Sequence, residues 1–331
     1  MSGFGKVKKE KEDVKVAEKK AEAEDKAVVA EAIPVVSTGK FASLEEEMNR
    51  LAEYKPSRPV FAGVVGHENT TKTGTVVDAF MHHMDKNPKS MLWVLDFDGG
   101  AAACRSAHWG NTPNIRCIDP YVMQTDDRTA YDYPATHQRV MDWGQYAVEQ
   151  SVKQMQPDYE GPMLTHFMVT SVDSWDSVCK VNMKITDMGI AKDGIEASDP
   201  SKTVGNQWNW GIRTTRFHQL TALCRRLVAN GVSVFWETHI KPEVFRDQET
   251  GGWKPDWEKH ASNYLHQILW FRKRKVRDGD GSLTGETQYV VEFFKCKTNA
   301  ALEGQERIIF STTKGKEPIW YGLPELRENL L

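Results

Sequence analysis

The sequence has no run of about 18 apolar residues, the length a helix needs to cross a bilayer. It also has no apolar stretch near its N-terminus of the signal-peptide kind. Cysteine is scarce. The five, Cys104, Cys117, Cys179, Cys224 and Cys296, are odd in number, widely spaced and never arranged as Cys-x-x-Cys. A disulfide framework or zinc knuckle is therefore not expected, and a reducing cytoplasm is. A large charge imbalance is missing too. A formal net charge of -3 excludes a basic protein that coats nucleic acid over its whole surface, so any nucleic-acid site must be a local patch.

What is present is enough apolar material for a real core, 40% of 331 residues, which fits one sizeable α/β domain with appendages. Residues 1–40 form a charged tail. Lys6 to Lys26 mixes both signs with almost no large apolar side chain and reads as disordered, as a lone solvated helix, or as an arm for a partner. Residues 41–59 read as a short helix and linker: Ser43 and Glu46 form a capping box, Leu44, Met48 and Leu51 share a face, and Pro56 and Pro59 end it. Residues 60–331 carry the main domain.

From Val60 onward apolar strands alternate with helical stretches. Val60–Val65, Ser90–Leu95, Asn114–Ile118, Leu164–Val172 and Val232–Trp236 read as strands. Thr73–Met84, Ala135–Gln154 and Arg213–Ala229 read as helices, the last closed by Gly231. Such alternation predicts a mainly parallel sheet with helices on both faces. His266–Lys275 and Gln288–Lys297 flank the turn-rich Asp278-Gly-Asp-Gly-Ser and predict a C-terminal antiparallel hairpin, with Ile308–Ser311 as a last edge strand.

The first strand opens into Gly66-His67-Glu68-Asn69-Thr70-Thr71-Lys72-Thr73-Gly74, followed by a helix. A phosphate-binding loop needs backbone N–H groups aimed inward, a helix N-terminus behind them, a lysine for the outer phosphates and a hydroxyl for Mg²⁺. Lys72 and Thr73 stand in those places. One residue departs from the pattern. Thr71 occupies the position before the lysine, where glycine permits a positive φ that a β-branched residue disfavours.

This loop resembles that of the RecA recombinases, which begins Gly-Pro-Glu and sets two small hydroxyl residues before Gly-Lys-Thr. Met91-Leu92-Trp93-Val94-Leu95-Asp96-Phe97-Asp98-Gly99-Gly100 resembles the next RecA strand, and the resemblance implies that Asp98 polarises the attacking water. Phe167 to Trp175 resembles the Walker B strand in two competing alignments. In one, Asp173-Ser174 is the Asp-Ser pair and Asp173 is the metal-side carboxylate beside Thr73. In the other, Thr170-Ser171 takes that place and the carboxylate is lost. Val232 to His239 resembles the following strand, whose end senses the γ-phosphate through Thr238 or His239. Phe294-Lys295-Cys296-Lys297 resembles the strand whose Lys-x-Lys reaches a neighbouring subunit's ATP, which implies roles for Lys295 and Lys297 in trans. Residues two apart on a strand share a face, so both can point at one phosphate.

The resemblance spans about Val60 to Phe310 and is nearest to small phage-encoded RecA-like ATPases that assist single-strand annealing and recombination. Kinship with other RecA-like ATPases, such as KaiC-type proteins, stays open. It implies a RecA-like P-loop core, ATP and Mg²⁺ as cofactors, a homo-oligomeric ring or filament with ATP at subunit interfaces, and single-stranded DNA as partner. Two polar segments follow the strands where such cores bind DNA. Lys180–Arg213 holds Trp208, Trp210 and Arg213, and Lys241–Lys259 holds Lys241, Arg246 and Trp253. Cations meet phosphates and aromatic rings stack on unpaired bases, although tryptophans also pack onto cores and interfaces. The basic run Arg272-Lys273-Arg274-Lys275 reads as a solvated hairpin first. A nucleotide-regulated or catalytically impaired binding protein, or a scaffold, is the alternative reading.

Overall fold

The computed structural model describes residues 59–331 apart from 125–129, 189–209, 246–247 and 329–330. The charged tail, the helix expected at 41–59, Trp208 and Arg246 lie outside the described residues. In chain order the elements are β1 (Phe61–Gly66), α1 (Lys72–Lys86), β2 (Ser90–Leu95), α2 (Gly100–His108), β3 (Ile115–Ile118), α3 (Tyr133–Lys153), β4 (Met163–Val169), α4 (Val172–Met188), α5 (Trp210–Ala229) and β5 (Ser233–Thr238). There follow β6 (Ile240–Phe245), β7 (Gln248–Pro255), α6 (Ala261–Tyr264), β8 (Gln267–Arg277), β9 (Leu283–Cys296), β10 (Glu306–Thr313), β11 (Ile319–Trp320) and α7 (Pro324–Arg327).

The apolar runs of β1, β2 and β5 are buried along their whole length, because both faces of the sheet are covered. Alternate residues serve opposite faces. Phe61, Val65, Trp93, Leu95, Val234 and Trp236 meet α3, α4 and α5 through Val140, Trp175 and Phe217. Ala62, Val64, Leu92, Val94 and Phe235 meet α1, α2 and α7 through Val76, Phe80, Ala101 and Leu326. The nine-stranded sheet runs β11-β10-β9-β8-β1-β5-β4-β2-β3. The pairings from β3 through to β8 are parallel, and those from β8 outward to β11 are antiparallel. The α/β class, the mainly parallel sheet, the helices on both faces and the C-terminal hairpin of β8 and β9 all match the sequence expectation. Among the described residues no helix is long and apolar enough to cross a membrane.

Local chemistry sets several boundaries. Asp132 caps α3 by accepting from the Ala135 N–H at 2.9 Å, with Pro134 in the first turn. Gly231 takes a positive φ of 88° after α5, as its place in the sequence predicts.

Several details differ from the expectation. Lys241–Lys259, expected only as a polar segment, mostly pairs as the β6–β7 hairpin, whose side chains are largely exposed. Lys180–Arg213 is helical at both described ends, since α4 runs to Met188 and α5 begins at Trp210. β4 stops at Val169, where the chain turns through Ser171 at φ 46° into α4. The outer edge strand is β11, beyond β10.

One ion pair ties α4 to α5. Asp176 is fully buried and accepts both arms of the Arg213 guanidinium at 2.6 and 2.7 Å, with Lys180 at 2.9 Å. Burial alone would raise the Asp176 carboxyl, but Arg213 and Lys180 outweigh it and hold it below its usual value. Asp176→Ala should cost about 3–5 kcal/mol, because it leaves the Arg213 guanidinium without its partner. Urea denaturation checks this. In the wild type the pair's contribution is present above the unfolded carboxyl value of about 4 and is lost as pH falls through the lower folded value. The wild-type-to-mutant difference in urea midpoint should therefore shrink in acid.

Candidate functional site

The carboxyl ends of β1, β2, β4 and β5 lie side by side, because these strands are parallel neighbours in register. In open α/β sheets that edge is where ligands bind. Here β1 delivers Gly66–Thr71 to the N-terminus of α1. Gly66 is required by packing: a methyl group there would sit 2.4 Å from the Phe271 carbonyl oxygen of β8. Thr70 Oγ1 donates to His67 O at 2.7 Å and stiffens the turn.

Asn69 and Thr71 both take left-handed backbone angles, φ 55° and 67°. The conformation usually supplied by glycine is thus adopted by a β-branched threonine, at a strain of about 1–3 kcal/mol. Thr71 caps α1 with its backbone alone; its side chain makes no capping hydrogen bond. Helix start and loop therefore present unpaired N–H groups backed by the helix dipole, a ready anion site.

Lys72 enters this cradle from the first turn of α1. It is buried, and its ammonium donates to His67 O at 2.8 Å and Gly66 O at 3.2 Å. Burial lowers its pKa, while Glu237, Asp98, Asp173 and Glu68 pull it back up. Thr73 donates through its hydroxyl to Glu237 Oε2 at 2.7 Å, and Lys72 Nζ stands 3.8 Å from Glu237 Oε1. Glu237 is 5% exposed, and burial pushes its carboxyl up to about 7 against the pull of Lys72 and the Thr73 hydroxyl.

The two acids after β2 have different places. Asp96 is buried and accepts from the Ala101 and Ala102 N–H groups, at 3.2 and 2.9 Å, so it caps α2. Burial raises its pKa more than these bonds lower it. Asp98 is exposed and accepts from Ser171 Oγ at 2.7 Å and the Gly100 N–H at 3.0 Å. Those bonds overcome partial burial and hold it below the usual carboxylate value.

Of the two β4 alignments, the geometry ends the strand before Thr170-Ser171 and sets Asp173 in the first turn of α4. Thr170 is buried, accepts from the Phe97 N–H at 2.9 Å and donates to Asp96 at 3.1 Å. Asp173 faces β5 instead: His239 Nδ1 lies 3.3 Å from one oxygen, and the Thr238 hydroxyl, which donates to Asp256 O at 2.8 Å, stands 3.4 Å from the other. This hydrogen bond with Asp173 raises the His239 pKa against burial. Gly66–Gly74, Asp98, Asp173, Thr238 and His239 thus share one edge. Glu237 joins them, a residue that no motif in the sequence singles out. The available signal was an acid in a strand whose neighbours alternate as buried apolar residues.

The other candidates lie elsewhere. Lys295 donates to Ser262 O at 2.5 Å and Lys297 to Asn263 O at 3.1 Å, so they share a face as their spacing predicts. Lys295 pairs with Ile268, which is opposite Gly63, so both lysines sit toward the amino end of β1, away from Lys72. Trp210, Arg213 and Lys241 line a groove of about 510 Å³ with Lys254 and Lys259. Arg213 is held by Asp176 and lies over the Trp210 ring at 5.5 Å, while Lys241 is paired with Asp256. Trp253 is half exposed and meets the His67 ring edge-on at 4.8 Å, beside the loop. In the basic run, Arg272 and Arg274 pair with Glu292 and Glu306. Among the described residues no group of three or more His, Cys, Asp and Glu could hold a metal ion.

In comparisons of the sequence with protein-family models and with curated proteins, nothing matches.

Replacing Thr71 by glycine should relieve the left-handed strain and stabilise the chain by about 1 kcal/mol after the entropy cost of glycine. Thermal denaturation checks this. A loss of stability would mean that the Thr71 side chain makes a contact worth more than the strain.

Proposed function

We propose that this chain is a RecA-like P-loop ATPase that binds ATP with Mg²⁺, self-associates with nucleotide at subunit interfaces, and assists DNA recombination or single-strand annealing. The observation that carries the reading is the pairing of Lys72 and Thr73, on the first turn of α1 behind the Gly66–Thr71 loop, with carboxylates from neighbouring parallel strands around them. That arrangement has a positive charge and free N–H groups for phosphates, and hard oxygen donors for a small cation. The donor set fits Mg²⁺, which takes one or two carboxylates plus substrate phosphates rather than an all-protein cage. Bound there, the cation would neutralise charge on the phosphate oxygens.

The chain's own residues divide the remaining work. Lys72 leaves the loop carbonyls for the outer phosphates. Asp98 is ionised and exposed, and each of its oxygens keeps acceptor capacity beyond the bonds from Ser171 and Gly100, so it can orient a water. Thr238 and His239, tied to Asp173, stand where a terminal phosphate would be sensed. For DNA, the support is the groove beside Trp210 with Lys254 and Lys259, since Arg213 and Lys241 are engaged by acids.

A second reading is a nucleotide-regulated binding protein that hydrolyses slowly. It is favoured by Thr170, a neutral residue where the resemblance expects an acid.

The test is ATP hydrolysis by the full chain with and without single-stranded DNA. The expected result is turnover that rises with DNA and falls by about a hundredfold or more in Lys72→Ala. ATP binding without turnover in the wild type would favour the second reading, and no binding at all would remove both.

A further inference from the structure

We infer that Glu237, on β5, is the carboxylate that holds the cation at this site, a role displaced by one strand from the β4 position. The inference rests on the nucleotide reading above and assigns the cation's protein ligation within it.

The register makes the displacement concrete. Val169 of β4 pairs with Trp236 of β5, so Thr170 stands abreast of Glu237 at the same edge. Thr170 has no charge to offer, and its hydroxyl is already used by Asp96 and the Phe97 N–H. Asp173 lies in the first turn of α4, where His239 stands 3.3 Å from one of its oxygens, and among the described residues it bonds to neither Lys72 nor Thr73. Among the described residues, Glu237 alone touches the hydroxyl expected to bind the cation. Thr73 is its only side-chain hydrogen-bond donor among the described residues, and Lys72 is its only ion-pair partner among them.

The carboxylate is buried, so this placement is costly unless something compensates it. One lysine at 3.8 Å and one hydroxyl leave most of its lone-pair positions unused. When Lys72 turns outward to a phosphate, it takes away the positive charge that balances Glu237. A divalent cation beside Thr73 restores it. Thr73 and Glu237 would together offer oxygen donors to a hard, oxygen-seeking ion, which would supply the missing positive charge.

The test measures the affinity of the full-chain protein for a fluorescent, slowly hydrolysed ATP analogue, with MgCl₂ and with EDTA. The wild type should bind more tightly with Mg²⁺. Glu237→Gln keeps an acceptor for Thr73 and should lose about tenfold or more of that Mg²⁺ gain. Its affinity in EDTA should be unchanged or higher, which also reports an intact loop. Asp173→Asn should keep the Mg²⁺ gain. A full Mg²⁺ gain in Glu237→Gln, or its loss in Asp173→Asn alone, would overturn the assignment while leaving nucleotide binding in place. If Glu237→Gln loses affinity equally in Mg²⁺ and EDTA, the residue builds the loop and the assignment fails. Absence of analogue binding by the wild type in both conditions would instead remove the nucleotide reading, and this one with it.

Discussion

The buried contact of Glu237 with Thr73 and Lys72 joins the middle of the sheet to the helix that follows the phosphate-type loop. Its geometry follows from strand alternation. On β5, Phe235 faces α1 and Trp236 faces α4 and α5, so Glu237 faces α1 and Thr238 faces α4. A slip of β5 by one residue would turn Glu237 away from Lys72 and put a tryptophan at the loop. The neighbours β1 and β4 hold β5 on both sides and fix that register, which makes the core the determinant of the site's charge pattern. The same alternation delivers Thr238 to Asp173, so one strand end supplies contacts on both sides of the sheet.

The loop itself is a local compromise. Its left-handed turn before Lys72 is kept although the usual glycine is absent, so the fold compels Thr71 into a region that threonine avoids. The compulsion comes from both ends: Gly66 is pressed against the Phe271 backbone, and α1 is anchored by Val76, Val77 and Phe80 in the core. Strain at such a junction persists where the surroundings over-determine the backbone.

Much of this was legible because it rests on short-range pattern. The mainly apolar runs of β1, β2 and β5 are strands covered on both faces, and the turn residues 278–282 lie between two pairing strands. The β6–β7 ribbon was not legible, since it pairs without burying an apolar face and so carries little periodic signal. The role of Arg213 is hidden in the sequence because its partner, Asp176, is 37 residues earlier and meets it through the packing of α4 on α5. Glu237 was hidden for a related reason. Its contacts with Lys72 and Thr73 join neighbouring strands of the sheet that lie more than half the described chain apart in sequence.

The placement of Lys295 and Lys297 constrains how self-association could serve such a site. Lys295 is level with Gly63 on β1 by way of Ile268, so it stands three residues, about 10 Å of strand, short of Gly66. Both lysines reach back to Ser262 and Asn263, further from the loop. Neither can meet a phosphate held by Lys72 of its own chain while those contacts stand. If these lysines act on a nucleotide, that nucleotide belongs to another copy, and the amino edge of one sheet must approach the carboxyl edge of the next. Two different surfaces then meet at each contact. Such a head-to-tail interface closes into a ring when its rotation divides the circle and extends as a filament when it does not. Under that reading, the choice between ring and filament would be a matter of rotation at one interface, with the same lysines and the same loop in either.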